Sequence, residues 1–175
     1  MKKIVAFAGS NSKTSINKQL ANYAASKVEN VTYDVVDLND YPMPIFSLEE
    51  EEKGFPKFAV AFNDLLSKYD GFVVSLAEHN GSYAAVFKNI FDWTSRIDRK
   101  VFKEKPVLLM AASPGGRGGA SVLATAAGTF PHMGANIVAK FSLPSFYDNF
   151  KDGELQNSEL EASLSSEITA FQKAI

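Results

Sequence analysis

Between Ala8 and Asn17 the chain reads Ala-Gly-Ser-Asn-Ser-Lys-Thr-Ser-Ile-Asn, a run of hydroxyl and amide side chains after the apolar stretch Ile4-Val5-Ala6-Phe7. Ser10, Ser12, Thr14 and Ser15 supply hydroxyls, Asn17 supplies an amide, and Ser15-Ile16 opens a segment of helical period. A helix start leaves backbone N–H groups without intrahelical partners and gathers partial positive charge, so it attracts anions. The chemistry indicated is the capture of a phosphate monoester by many neutral donors. Two better-known phosphate loops do not fit. The P-loop spacing needs glycine at Phe7 and Ser12, and the G-x-G-x-x-G spacing needs it at Asn11 and Thr14. A plainer reading of the same residues is a Ser15 helix cap in a polar surface turn.

Two further clusters carry chemistry. Ala77-Glu78-His79-Asn80-Gly81-Ser82-Tyr83 contains a flat ring, His79, and Ser113-Pro114-Gly115-Gly116-Arg117-Gly118-Gly119 holds four of the 11 glycines. Glycine exposes backbone N–H and C=O groups without side-chain bulk, which suits close contact with the edge of a planar heterocycle. A phosphate at one end and a planar ring at the other describe a mononucleotide. Three roles are open to Arg117: contact with an anionic ring, contact with a cofactor phosphate, or a solvated loop position. His132 reads as structural or surface.

These loops need elements that bring them together. Apolar runs at Lys3 to Ala8, Thr32 to Leu38, Gly71 to Leu76, Pro106 to Ala112 and Asn136 to Phe141 predict strands. Between and after them, segments of helical period lie at Ser15 to Glu29, Pro56 to Tyr69, Tyr83 to Ile97, Gly119 to Met133 and Ser158 to Ala174. Strands without polar alternation argue for a sheet covered on both faces, and strand–helix alternation argues for parallel crossovers. The expectation is a doubly wound three-layer α/β sandwich, a single domain over residues 1–175, with five parallel strands in the order 2-1-3-4-5. In such sheets ligands bind beyond the carboxyl ends of the strands, at the point where the order reverses. All three loops follow strand ends. In the irregular stretch Asn39 to Gly54, which has two prolines, the run Glu49 to Glu52 reads as a solvated helix start or loop; the stretch and Phe146 to Phe150 are candidates to line an acceptor pocket by fold analogy.

Composition excludes several classes. With 175 residues, of which 46% are hydrophobic and 22% charged, the chain can bury roughly 70% of its unfolded surface. No cysteine is present, so disulfides, thiolate metal sites and a cysteine nucleophile are ruled out. Eighteen basic and 20 acidic residues give a net charge of −2, and the basic ones are scattered, which argues against a nucleic-acid partner. Lys2-Lys3 is followed by too few apolar residues for a signal-peptide core, and no run approaches ~20 apolar residues, so a cytoplasmic protein without membrane insertion is expected.

The chain resembles the NADPH-dependent FMN reductase family of flavodoxin-like proteins. Its first loop is similar to the family's Gly-Ser-x-Arg-x-x-Ser-x-Asn at Gly9, Ser10, Ser15 and Asn17. The second signature, Pro-x-Tyr-Asn-x-Ser-x-x-x-x-Leu-Lys-Asn-x-x-Asp-Trp, is matched at Asn80, Ser82, Lys88, Asn89, Asp92 and Trp93. Ser113, Gly115, Gly116, Gly118 and Gly119 resemble the family's glycine-rich loop. Ser12 stands where the family often has arginine, leaving Lys13 or Lys18 as a substitute cation, and Ala77 and His79 stand in place of proline and tyrosine. The resemblance implies bound FMN, held by Ser10, Ser12, Ser15, Ile16 and Asn17, by Glu78, His79, Asn80, Gly81 and Ser82, and by Ser113, Gly115, Gly116, Arg117 and Gly118. It implies hydride transfer from NADPH or NADH to a small-molecule electron acceptor in ping-pong order, with no acid, base or nucleophile from the protein. It further implies a homodimer or homotetramer, for which Phe87, Phe91 and Trp93 are the expected aromatic surface. A flavodoxin-type electron carrier and a flavin-free binding module are the alternatives.

Overall fold

The computed structural model describes residues 1–175. Nine strands and seven helices follow one another in the chain. They are β1 (Lys2–Gly9), α1 (Ile16–Ser26), β2 (Val31–Val36), α2 (Leu48–Glu51), α3 (Lys57–Leu66) and β3 (Gly71–Leu76). A two-residue ribbon, β4 (Glu78–His79) and β5 (Ser82–Tyr83), precedes α4 (Ala85–Ile97), β6 (Pro106–Ala112), α5 (Ala120–Thr129) and β7 (Asn136–Leu143). The chain ends with α6 (Phe146–Asn149), the ribbon β8 (Phe150–Lys151) and β9 (Glu154–Leu155), and α7 (Ser158–Ala174).

The main sheet is parallel throughout, in the order β2-β1-β3-β6-β7, which counted over its own strands is the expected 2-1-3-4-5. Successive side chains of a strand point to opposite faces, and here both faces are apolar. Ile4, Ala6, Val73, Leu108 and Met110 pack under α1 and α7, while Val5, Phe7, Phe72, Val74 and Leu109 pack under α3, α4 and α5. The result is two cores of 21 buried residues each, one on either side of the sheet. Edge strand β2 departs from the two-sided cover expected of every strand. Tyr33 and Val35 are exposed because no neighbour pairs with β2's outer side.

Differences in element ends have local causes. Strand β2 stops at Val36 because the Asp37 carboxylate accepts from the Asn39 N–H and turns Leu38–Asp40 into a short 3-10 helix. Tyr83 leaves α4 because it pairs with Glu78 in the ribbon. Pro131 has no N–H to continue α5, so Phe130–Met133, with His132, winds as a 3-10 turn.

Helix α4 requires a correction. Phe87, Phe91 and Trp93 are not surface: all three are buried. Phe87 and Phe91 stack on each other and join Phe102 and Phe130 in the second core. Trp93 is covered by the stretch between β2 and α3. Its indole N–H donates to the Pro44 carbonyl at 2.8 Å, and its ring meets Phe46 edge-on at 5.1 Å. Asn89 clamps the same stretch, accepting from the Phe46 N–H at 2.8 Å and donating to Pro44 at 3.0 Å. Arg96 pairs with Glu51 at 2.7 Å. Three residues of the acidic run, Glu49 to Glu51, belong to a short helix, α2, capped by Ser47. Lys88 and Asp92 form an exposed i, i+4 ion pair at 2.7 Å.

Candidate functional site

A cleft of about 350 Å³ opens at the carboxyl ends of β1, β3 and β6, where the strand order reverses. Its lining comes from the three expected loops and from one residue after β7: Ser10, Ser12, Thr14, Ser15, Ile16, Asn17, Ala77, Glu78, His79, Ala112, Ser113, Pro114 and Tyr147.

The first loop is built by short-range bonds between its own groups. The Ser10 hydroxyl accepts from the Ser12 N–H at 3.2 Å, the Ser12 carbonyl accepts from the Ser15 N–H at 3.2 Å, and Ser12 and Thr14 hydroxyls sit 3.5 Å apart. Ser15 caps α1, its hydroxyl accepting from the Lys18 N–H at 3.1 Å. Gln19 N–H donates to the Ser15 carbonyl. The N–H groups of Ile16 and Asn17 are left without a partner in the protein, facing the cleft from a helix start. The Ser15 cap and two helix-start N–H groups without a protein partner are therefore present together.

Asn17 does more than line the cleft. Its side chain is 2% exposed; Oδ1 accepts from Ser75 Oγ at 2.7 Å and from the Ala112 N–H at 2.8 Å, and Nδ2 donates to the Ala112 carbonyl at 3.2 Å. One amide thus ties α1 to the ends of β3 and β6. The two candidate cations differ. Lys18 is held by Asp37 at 2.6 Å, and that ion pair, with Asn39, keeps the Asp37 carboxyl below the usual carboxylate range. Lys13 makes no ion pair and is exposed beside the loop. Asn39 also donates to the Asn11 carbonyl at 3.2 Å, which braces the loop from β2's side.

In the second loop, His79 and Glu78 line the cleft and Asn80, Gly81 and Ser82 do not. Asn80 (φ 52°) and Gly81 (φ 78°) are the two central residues of a tight turn joining β4 to β5. Positive φ at both positions defines a type I′ hairpin turn, for which Asn-Gly is the preferred pair. Their place in the motif thus has a backbone reason. The half-buried Glu78 carboxylate reaches the start of α5, Oε2 accepting from the Ser121 N–H at 2.9 Å and the Val122 N–H at 3.0 Å.

The third loop separates two kinds of glycine. A Cβ on Gly118 (φ 60°) would meet Ser142 Oγ and the Pro144 backbone, and one on Gly119 (φ 73°) would sit 2.7 Å from the Ala111 Cβ, so both are required by the chain's own packing. A Cβ on Gly115 or Gly116 would meet nothing within 4 Å. Ser113 and Pro114 line the cleft; Gly115, Gly116, Arg117 and Gly118 lie further along the loop. Arg117 is exposed, donating to the Ser121 hydroxyl at 3.0 Å. The loop is anchored to the segment after β7, where Ser145 and Phe146 N–H groups donate to the Gly115 and Ser113 carbonyls, each at 3.0 Å.

Tyr147 belongs to that segment. It is 64% exposed at the cleft wall, while neighbours Phe146 and Phe150 are buried and stack at 4.9 Å. Thr14, Ala77, Ala112, Pro114 and Tyr147 line the cleft but lie outside the set of FMN-holding residues that the resemblance implies; Tyr147's signal is its place one residue into the helix after the last strand end. Of Phe146 to Phe150 only Tyr147 lines this cleft, and no residue of Asn39 to Gly54 does.

The donor set fits a phosphorylated planar cofactor. Four hydroxyls and two unpartnered helix-start N–H groups converge at one end, and a glycine loop with open space beside Gly115 and Gly116 stands at the other.

These elements define a flavodoxin-like α/β protein with a polar cleft at the switch point of its sheet. A family model described as NADPH-dependent FMN reductase matches residues 2–148, and the chain belongs to that family. It is 34% identical over 118 residues to a 2-hydroxy-1,4-benzoquinone reductase of Burkholderia sp, covering 66% of this chain and 63% of that protein. To the quinone reductase of Escherichia coli (strain K12) it is 31% identical over 122 residues, covering 67% of this chain and 63% of that one. The match therefore spans less than two thirds of the length of either relative. Among solved structures, it superposes on the FerB flavoenzyme NAD(P)H:(acceptor) oxidoreductase from Paracoccus denitrificans with a TM-score of 0.79 at 21% identity, over 99% of this chain and 97% of that one. That likeness is one of fold.

Proposed function

We propose that the protein is an FMN-dependent NAD(P)H oxidoreductase that delivers reducing equivalents to a small-molecule acceptor such as a quinone or an azo compound. The observation that carries this reading is the open start of α1: the unpartnered Ile16 and Asn17 N–H groups beside the hydroxyls of Ser10, Ser12, Thr14 and Ser15, at the switch point of the sheet. FMN, when bound, supplies the redox chemistry by accepting and releasing hydride. The protein's work is binding and orientation. Ser10, Ser12, Ser15 and the start of α1 hold the phosphate with neutral donors, and Lys13 adds a loose positive charge. His79, Ser113 and the backbone of Gly115 and Gly116 take the ring, and Tyr147 bounds the side from which donor and acceptor arrive. Position supplies the rate enhancement, since a donor held in a near-attack pose escapes the entropy cost of encounter. One entrance shared by donor and acceptor predicts ping-pong kinetics.

Assembly as a homodimer or homotetramer in the cytoplasm belongs to the same reading. The apolar surface available for it is Ile45, Leu48 and Phe55, all exposed, on the stretch that α4 clamps. Sedimentation equilibrium tests that part. FMN titration tests the core: quenched flavin fluorescence and a perturbed absorbance band are expected, and their absence ends the flavoenzyme reading in favour of a flavin-free module. Anaerobic mixing of the loaded protein with NADPH then separates a reductase, which bleaches, from an electron carrier, which does not.

A further inference from the structure

Helix α5 begins at a residue that is unable to cap it. Its N-cap, Gly119, has no side chain, and none is admissible there: φ is 73°, and a Cβ would stand 2.7 Å from the Ala111 Cβ. A helix start has four N–H groups to satisfy. Ala120 donates to the Arg117 carbonyl and Leu123 to the Gly119 carbonyl, which leaves Ser121 and Val122. Both donate to one oxygen of Glu78, at 2.9 and 3.0 Å, from a carboxylate 43 and 44 residues earlier in the chain. The missing local cap is replaced by a distant one.

We propose that Glu78 is a positioning residue that locks two walls of the cleft to each other. Its backbone sits in the ribbon that carries His79, and its carboxylate grips the helix that the glycine loop leads into. This side chain, together with the Tyr83 ring stacked on Phe130, holds the ribbon of His79 against the helix that follows the Ser113 to Gly119 loop. The same carboxylate also places a negative charge on the positive end of α5, which closes that end to an outside anion. Helix α1, on the opposite side of the cleft, keeps its end open. The molecule therefore selects the orientation of a phosphorylated ligand as well as its width: phosphate toward α1, ring between the walls that Glu78 joins.

The ligand part of this inference rests on the flavin reading above, and the tether part does not. The test uses the full chain with Glu78→Gln and Glu78→Ala, each checked for a cooperative thermal transition. Amide hydrogen exchange is followed at Ser121 and Val122 without ligand, and FMN binding is followed by fluorescence and by visible circular dichroism. In Glu78→Ala, exchange at both amides should rise at least 10-fold, while exchange at Lys18 in α1 stays as in the parent. FMN should bind roughly 10-fold more weakly, with an altered dichroic band, because the ring's surroundings are no longer held in register. Glu78→Gln keeps an acceptor oxygen and should recover part of both effects; it carries the test if the alanine variant does not fold. Unchanged exchange at Ser121 and Val122 would overturn the tether. Faster exchange with unchanged FMN affinity and dichroism would overturn the positioning role. If the parent itself binds no FMN, the flavin reading fails and the exchange result still decides the tether.

Discussion

Asn17 shows how closely cleft and scaffold are joined at the level of single residues. Its amide satisfies Ser75 and both backbone groups of Ala112, all buried, so its removal strands polar groups in the interior. Asn17→Ala should cost about 2–4 kcal/mol in urea unfolding, since each stranded buried group costs about 1–3 kcal/mol. The motif made Asn17 legible as a site residue, but it read as a donor to the ligand. That its side chain points inward depends on β3 and β6 lying beside α1, which spacing along the chain does not encode. The glycines allow a sharper test. Gly119→Ala should destabilise by about 1–3 kcal/mol through strain at positive φ and its collision with Ala111. Gly115→Ala should leave the unfolding midpoint almost unchanged while weakening FMN binding, because open space beside it is room for a ligand. Loss of stability in Gly115→Ala with FMN affinity intact would reverse that assignment.

At the scale of elements, strands and helices were legible where period and punctuation agreed. All five sheet strands and the long helices stand where apolar runs and helical period predict them; Pro131, Asp37 and the Asn80-Gly81 turn account for three shifted ends, while α1 and α3 each stop three residues earlier and β7 runs two residues further than the pattern indicates. Helix α4 was legible as a helix but not in its surroundings. Its aromatics at 87, 91 and 93 read as a surface because the stretch that covers Trp93 has no period to announce a packing role. Nothing local to Glu78 signals Ser121 and Val122 either. The clamp on the 42–51 stretch has a direct test: Asn89→Ala removes an acceptor from the Phe46 N–H and a donor to Pro44. Limited proteolysis should then cut between Tyr41 and Gly54 several times faster than in the parent, with the cleft's ligand affinity unaltered. Equal cutting rates would show that Trp93 and Arg96 hold the stretch without Asn89.

For the whole molecule, charge pairs set the acid limit of stability. Lys3 and Tyr69 hold the Asp34 carboxyl below its usual range, Lys18 and Asn39 do so for Asp37, the Lys3 N–H for Asp70 and Lys103 for Asp98. A carboxyl whose folded value is depressed adds stability above its unfolded value, about 4, and that stability is lost as pH falls through the folded value. Urea midpoints should thus be flat from about pH 5 to 8 and drop below about pH 4. Each contribution is modest, because these side chains are partly exposed and screened. Asp37→Asn should make the acid drop shallower, and an unchanged profile would remove the Lys18 pair from this account. The same ion pair keeps Lys18 occupied beside the Ser10 to Asn17 loop, so the proposed capture of an anion falls to neutral donors and the open end of α1. Titration of the protein with FMN, followed by flavin fluorescence in parallel with Ser15→Ala and Ser10→Ala, tests that claim most directly. Saturable quenching in the parent, weakened at least 10-fold when either hydroxyl is removed, is the predicted result; no quenching in the parent, or equal affinity in all three proteins, would contradict it.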